Sequence, residues 1–177
     1  TNLAASGNGF TLETERFTED GSGLYPREYI RNETGKLTAK TVLNTRPWSR
    51  HTNRTGITAN RMGDNQMIRQ SPNSDTPLQT FLDETGHSYQ IQVFSQSRFS
   101  LGRLNLHAGV HLHHFALTGS TSLEPRTGLQ FQTHSGTFSL SYGRHTLVEP
   151  LPFYFSDSEN LILDFTKADH FVAGYSH

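Results

Sequence analysis

Hydrophobic and polar positions alternate most strictly over Leu104-Asn105-Leu106-His107-Ala108-Gly109-Val110-His111-Leu112-His113. Leu104, Leu106, Ala108, Val110 and Leu112 share one face, and Asn105, His107, Gly109, His111 and His113 share the other. Side chains on a strand change face at every residue, so this period of two predicts a strand with one apolar and one polar wall. The apolar wall runs nine residues, about 23 Å at ~3.3 Å per residue and a tilt near ~40°. That matches the outward apolar band of an outer-membrane barrel, about 25 Å tall, better than the usual strand of ~5–6 residues.

The same period predicts further strands over Lys36–Asn44, Arg54–Met62, Ser88–Leu101, Pro125–Thr133, Thr137–Leu147 and His170–His177. With the one above, which extends to Leu117, they make about seven. Gly102-Arg103 and His134-Ser135-Gly136 read as tight turns, and Pro47 breaks the chain between 45 and 53. Residues 1–35 read as a polar loop segment, with a short extended piece near Phe10–Leu12 and a turn signal at Ser22-Gly23-Leu24-Tyr25-Pro26. Residues 63–86 read as a long connection with a short helix at Leu78–Asp83, and 149–167 as a second, rich in proline and aromatics. Short joins (45–53, 102–103, 134–136) alternate with longer ones (63–86, 118–124, 148–169). Outer-membrane barrels sort their turns in this way. The fold expected is all-β: an antiparallel up-and-down meander, part of a larger transmembrane β-barrel. A soluble β-sandwich acting as a ligand-binding module is the alternative.

Composition narrows this choice. Apolar residues make up 33% of the 177, and the mean hydropathy is -0.58. A helical membrane protein needs spans of about 20 apolar residues, and none is present. A barrel needs only half of each strand to be apolar. The net charge of -1 argues against a nucleic-acid partner held by bulk charge. Cysteine is absent, which excludes thiolate metal sites and disulfides.

Several strings together resemble the barrel of TonB-dependent outer-membrane receptors of the kind that carry a carboxypeptidase-regulatory-like N-terminal extension. They are Asn44 with Arg50-His51-Thr52-Asn53-Arg54-Thr55-Gly56, and Ser122-Leu123-Glu124-Pro125-Arg126-Thr127-Gly128-Leu129. Two more are Ser141-Tyr142-Gly143 ahead of Pro150-Leu151-Pro152, and Thr166-Lys167-Ala168-Asp169-His170-Phe171-Val172-Ala173-Gly174-Tyr175. The resemblance covers residues 36–177. It implies a partial receptor barrel over that span, an internal piece of a 22-stranded whole, in a Gram-negative outer membrane. The implied activity is import of a scarce nutrient, with no catalysis. The implied partners are the rest of the barrel and its plug, the TonB complex acting through the plug, a surface lipoprotein, and outer-membrane lipid. About seven strands leave two sheet edges, and unpaired backbone in lipid costs several kcal/mol per group, so either other chains complete the sheet or the piece folds differently as a soluble fragment.

The candidate substrate-binding residues are Gln90, Gln92, His107, His111 and His113 on polar strand faces, with Phe153 and Tyr154 as an aromatic platform. His111 and His113 are spaced to bracket zinc, copper or nickel. No carboxylate lies in that stretch to orient them, and a wet wall tolerant of imidazole is the preferred reading. No cofactor or metal is expected. No Gly-x-Ser-x-Gly elbow is present. Glu13, Glu15, Glu19 and Asp20 read as solvated charges rather than a hydrolase pair, and Gly7-Asn8-Gly9 lacks the strand–helix setting of a phosphate loop.

Overall fold

The computed structural model describes residues 1–21, 23–73 and 75–177. The chain forms one antiparallel sheet in which each strand pairs with the next in sequence. The strands are β1 (Asn2–Asp20), β2 (Gly23–Trp48), β3 (His51–Gln70), β4 (Gln79–Leu101), β5 (Leu104–Phe115), β6 (Ser120–Gln132), β7 (Thr137–Leu147) and β8 (Thr166–Ser176). The expected all-β up-and-down meander is the observed fold. A short helix, α1 (Leu151–Phe155), and a 3-10 turn (Ser158–Ile162) sit in the β7–β8 connection. Among the described residues β1 and β8 do not pair with each other.

Three expectations need correction. Residues 1–35 are not a loop: they form β1 and the first half of β2, paired from Asn2↔Val42 to Asp20↔Gly23. Both faces there carry Thr, Glu, Asn and Arg, so the apolar alternation that reveals a half-buried strand is missing. Ser22, in the expected turn signal, lies outside the described residues. The 63–86 connection shrinks to 71–78, because β3 runs to Gln70 and β4 starts at Gln79. The helix expected at Leu78–Asp83 is strand from Gln79 on, held by pairs such as Asp83↔Met67. In these long hairpins cross-strand hydrogen bonds set the structure, and side-chain periodicity carries little signal.

The register places the turns at two ends. Residues 49–50, 102–103 and 133–136 join strands at one end. Residues 71–78, 116–119 and 148–165 join them at the other. Gly102 has φ of 66°, the left-handed geometry that a two-residue hairpin demands and glycine supplies without strain.

Burial is inverted relative to a water-soluble sheet. The apolar face stands open: Val110 is 41% exposed and Leu140 60% exposed. Leu43, Ile57, Ile91, Leu112, Leu123, Leu129 and Phe138 are also exposed on it. The polar face is the crowded one, with Asn60, Gln90, Asn105, His113, Ser122 and Glu124 buried. In a single-layer sheet this asymmetry marks the polar face as concave. The buried apolar cluster lies not between layers but where the 148–165 connection folds onto that concave face. Leu151, Tyr154 and Phe165 pack on Phe115 there, with Met62, Leu117, Val148 and Phe155 around them.

Candidate functional site

Register explains which side chains share the concave wall. In antiparallel pairs, residues directly opposite project to the same side. Gln92 lies opposite His113, and Arg98 opposite His107. On the other flank of β5, His111 lies opposite Glu124 and Asn105 opposite Gln130. Gln90, Gln92, His107, His111 and His113 therefore do line one wall.

The upper part of this wall, near the long connections, is a continuous hydrogen-bonded chain. Thr38 Oγ1 donates to Asn60 Oδ1 at 2.8 Å, and Asn60 Nδ2 to Gln90 Oε1 at 2.8 Å. Gln90 Nε2 meets His113 Nε2 at 2.6 Å, and His113 Nδ1 meets Thr146 Oγ1 at 3.1 Å. Thr146 in turn donates to Glu124 Oε1. These bonds are mutually consistent only with a neutral His113 protonated on Nδ1. Every donor then points toward Glu124, and aligned bonds of this kind polarise one another. Two further donors converge on the same carboxylate. His111 Nδ1 lies 2.9 Å from Glu124 Oε2, and Arg126 Nη2 lies 2.8 Å from it. Pairing of β6 with β7 ends at Arg126↔Gly143, and Thr146 reaches Glu124 beyond that point.

Glu124 was not among the sequence candidates, although it is the acceptor on which the histidines depend. The expected β6 starts at Pro125, whereas the strand begins at Ser120, so Glu124 falls just outside the expected element. Counting outward from the Gly119 turn would have supplied the signal: Phe115↔Ser120 leads by equal steps to His111↔Glu124.

The aromatic platform is split. Phe153 is 59% exposed and free to meet a ligand, whereas Tyr154 is 2% exposed. Its ring packs on Phe115 at 5.3 Å, and its hydroxyl accepts from Glu149 N–H at 3.3 Å. Burial pushes the Tyr154 phenol above its ordinary pKa. Tyr154 is thus a core residue of the connection and not a ligand contact. His113 is also sealed under the same connection, 4.6 Å from the Phe165 ring, and Gln90 is buried beside His113. The expected set reduces to Gln92, His107, His111 and Phe153 as groups a ligand can reach. Among the described residues no cluster of three His, Cys, Asp or Glu is arranged to hold a metal ion.

Lower on the wall, toward the short turns, lies an open hollow of about 810 Å³. Its polar lining includes Asn44, Gln96, His107, Gln130, Ser139 and Ser141. Gly109 and Gly128 leave the backbone itself as the floor. Gly109 is fixed by its neighbours, since a Cβ there would stand 2.8 Å from Gln96 Cγ and 3.1 Å from Ser95 O.

No family model, curated protein or solved structure matches the chain. The functional reading therefore rests on the two faces of the sheet and on the residues that line them.

Proposed function

We propose that this chain forms part of the wall of an outer-membrane transport barrel of the TonB-dependent receptor kind, which binds and imports a scarce nutrient. The carrying observation is the inverted burial. One face of a single-layer sheet exposes aliphatic and aromatic side chains across β2 to β8, and the opposite face is polar, crowded and hydrogen-bonded. In water such an apolar face would be an aggregation surface; in a bilayer it is the solvated one. The apolar band carries no Asp, Glu, Lys or Arg between its two margins. The first charges on that face, Glu13, Glu33, Arg61, Asp83, Arg144 and Asp169, all stand toward the long connections. Aromatic rings gather at its rims. Trp48, Phe99, Phe131, Phe138 and Tyr175 stand near the short turns, and Tyr89, Tyr142 and Phe171 near the long connections. Interfacial girdles have this composition.

In this reading the short turns are periplasmic and the 71–78 and 148–165 connections extracellular. The concave wall offers hydrogen-bonding groups to a passing ligand, and no bond is made or broken. The rest of the barrel, a plug, the TonB complex acting through that plug, a surface lipoprotein and outer-membrane lipid are the partners it requires. Membrane fractionation tests the reading. The intact protein is expected to resist alkaline carbonate washing and to need detergent for extraction. A monodisperse, detergent-free monomer with a cooperative melting transition would instead favour the soluble sandwich.

A further inference from the structure

The hollow on the concave wall is lined by four arginines, Arg46, Arg54, Arg98 and Arg126, together with His107, and by no Asp or Glu. Only Arg126 has a carboxylate partner among the described residues, and that partner is Glu124 outside the lining. Arg46 spends one Nη2 donor on Ser49 O at 2.8 Å. The Arg54 guanidinium lies 5.9 Å from the centre of the Phe94 ring, which holds it by a cation–π contact and leaves its fork free. Arg98 stands opposite His107 in the register and on the same wall. Arg126 Nε is buried without a hydrogen-bond partner in the protein.

Like charges gathered in one concavity repel unless an anion or water separates them. The alternation rule brings Arg54 and Arg98 onto the same wall: Arg54 lies opposite Gln96, and Arg98 is two residues further along β4. Guanidinium forks at such spacing suit a carboxylate or phosphate, which each can grip with two parallel hydrogen bonds. The volume falls within the ~300–1,000 Å³ range of small-molecule sites. We infer that this hollow binds a small organic polyanion bearing at least two carboxylate or phosphate groups, held by Arg54 and Arg98 with His107 at its side. The inference deepens the transport reading by naming a ligand class, and it rests on this face being a wet lumen.

The test is calorimetry on the intact protein in detergent, titrated with citrate and separately with pyrophosphate, at low and high salt. Binding of either is expected to saturate and to weaken with salt. Binding of citrate alone identifies a carboxylate ligand, and binding of pyrophosphate alone a phosphate ligand. Arg54→Gln and Arg98→Gln should each weaken it about tenfold, the loss of one charge-assisted fork. Arg98→Lys, which keeps the charge without the fork, should weaken it less. Arg16→Gln, away from the hollow on β1, should leave it unchanged and reports on folding. Absence of saturable heat with both anions, or equal binding by wild type and the two glutamine variants, overturns the inference. So does a neutral sugar that binds as tightly as citrate regardless of salt. Failure here with the sheet's lipid exposure intact would leave the barrel reading standing, because that exposure is measured separately.

Discussion

Glu124 and His111 face each other across β5 and β6, with Nδ1 and Oε2 2.9 Å apart and the carboxylate 2% exposed. Their pairing turns a row of histidines into one end of a network that runs back through Thr146, His113, Gln90 and Asn60 to Thr38. Glu124 is its only carboxylate. Glu124→Gln replaces a three-donor carboxylate with an amide whose NH2 faces donors. It is expected to destabilise the protein by about 1–3 kcal/mol, the range for an orphaned buried polar group. Thr146→Val should cost about 1 kcal/mol, since Glu124 keeps two donors. Denaturant unfolding of the singles and the double variant checks this. The double should cost less than the sum, because the two residues share one bond.

A charge placed on the apolar face should be far more costly than the same charge on the concave one. Leu129 and Gln130 are adjacent on β6 and project oppositely. Leu129→Arg is expected to lower barrel stability by about 2–4 kcal/mol in lipid, and Gln130→Arg by less than about 1 kcal/mol. Refolding into vesicles, followed by denaturant titration, measures both.

Gly56 is a packing requirement. A Cβ at that position would stand 2.7 Å from Phe94 Cε1 and Cζ and 2.9 Å from Thr41 O. Gly56→Ala is expected to cost about 1–3 kcal/mol by overpacking. Phe94→Leu in the same chain should recover part of this cost. It should not recover all of it, since the Thr41 carbonyl is backbone and cannot withdraw.

The 148–165 connection is pinned where Phe155 crosses Gly86. A Cβ on Gly86 would come within 2.0 Å of the Phe155 ring. Gly86→Ala should therefore lift α1 off the wall. Limited proteolysis is expected to cut within 148–165 in this variant while β1 to β7 stay protected. Equal protection in variant and wild type would contradict the docking described.

Docking of the same connection should depend on alkaline pH through Tyr154. Burial raises the phenol above its ordinary range, so the neutral form is favoured when docked. The docked state is fully favoured below the usual tyrosine pKa of about 10, and loses stability as pH rises through the higher folded value. Proteolysis rates across that window should climb in the wild type. Tyr154→Phe should flatten the dependence.

How much of this was legible from residues alone follows from where the apolar alternation lies. Strands β4 to β7 were readable because Leu106, Val110, Leu129 and Leu140 recur at every second position against polar partners. Strand β1 and the outer halves of β2, β3 and β4 were not, since Glu13, Arg31, Asn65 and Asp83 occupy the face that is apolar lower down. There the strand exists through its backbone ladder, and composition reads as loop. The polar wall was readable as a wall, and Gln92, His107 and His111 sit on it. Glu124 was hidden because the expected β6 began at Pro125, five residues after its true start at Ser120, which removes Glu124 from the strand altogether. Tyr154 was misjudged because aromatics after prolines look alike whether they stack on a ligand or on Phe115. The arginine hollow draws Arg54, Arg98 and Arg126 from three strands, and only cross-strand register unites them.

The central claim is that the apolar face meets lipid while the polar face meets water. The chain has no cysteine, so single cysteines can be placed at each position from Leu104 to His113 except Gly109, where a side chain would clash, in the intact protein in its membrane. Spin labels there report collision with lipid-soluble oxygen and with a water-soluble nickel chelate. Oxygen contact is predicted to peak at Leu104, Leu106, Ala108, Val110 and Leu112, and nickel contact at Asn105, His107 and His111. Equal collision on both faces, or even-numbered positions shielded from both reagents by a second protein layer, would contradict the account.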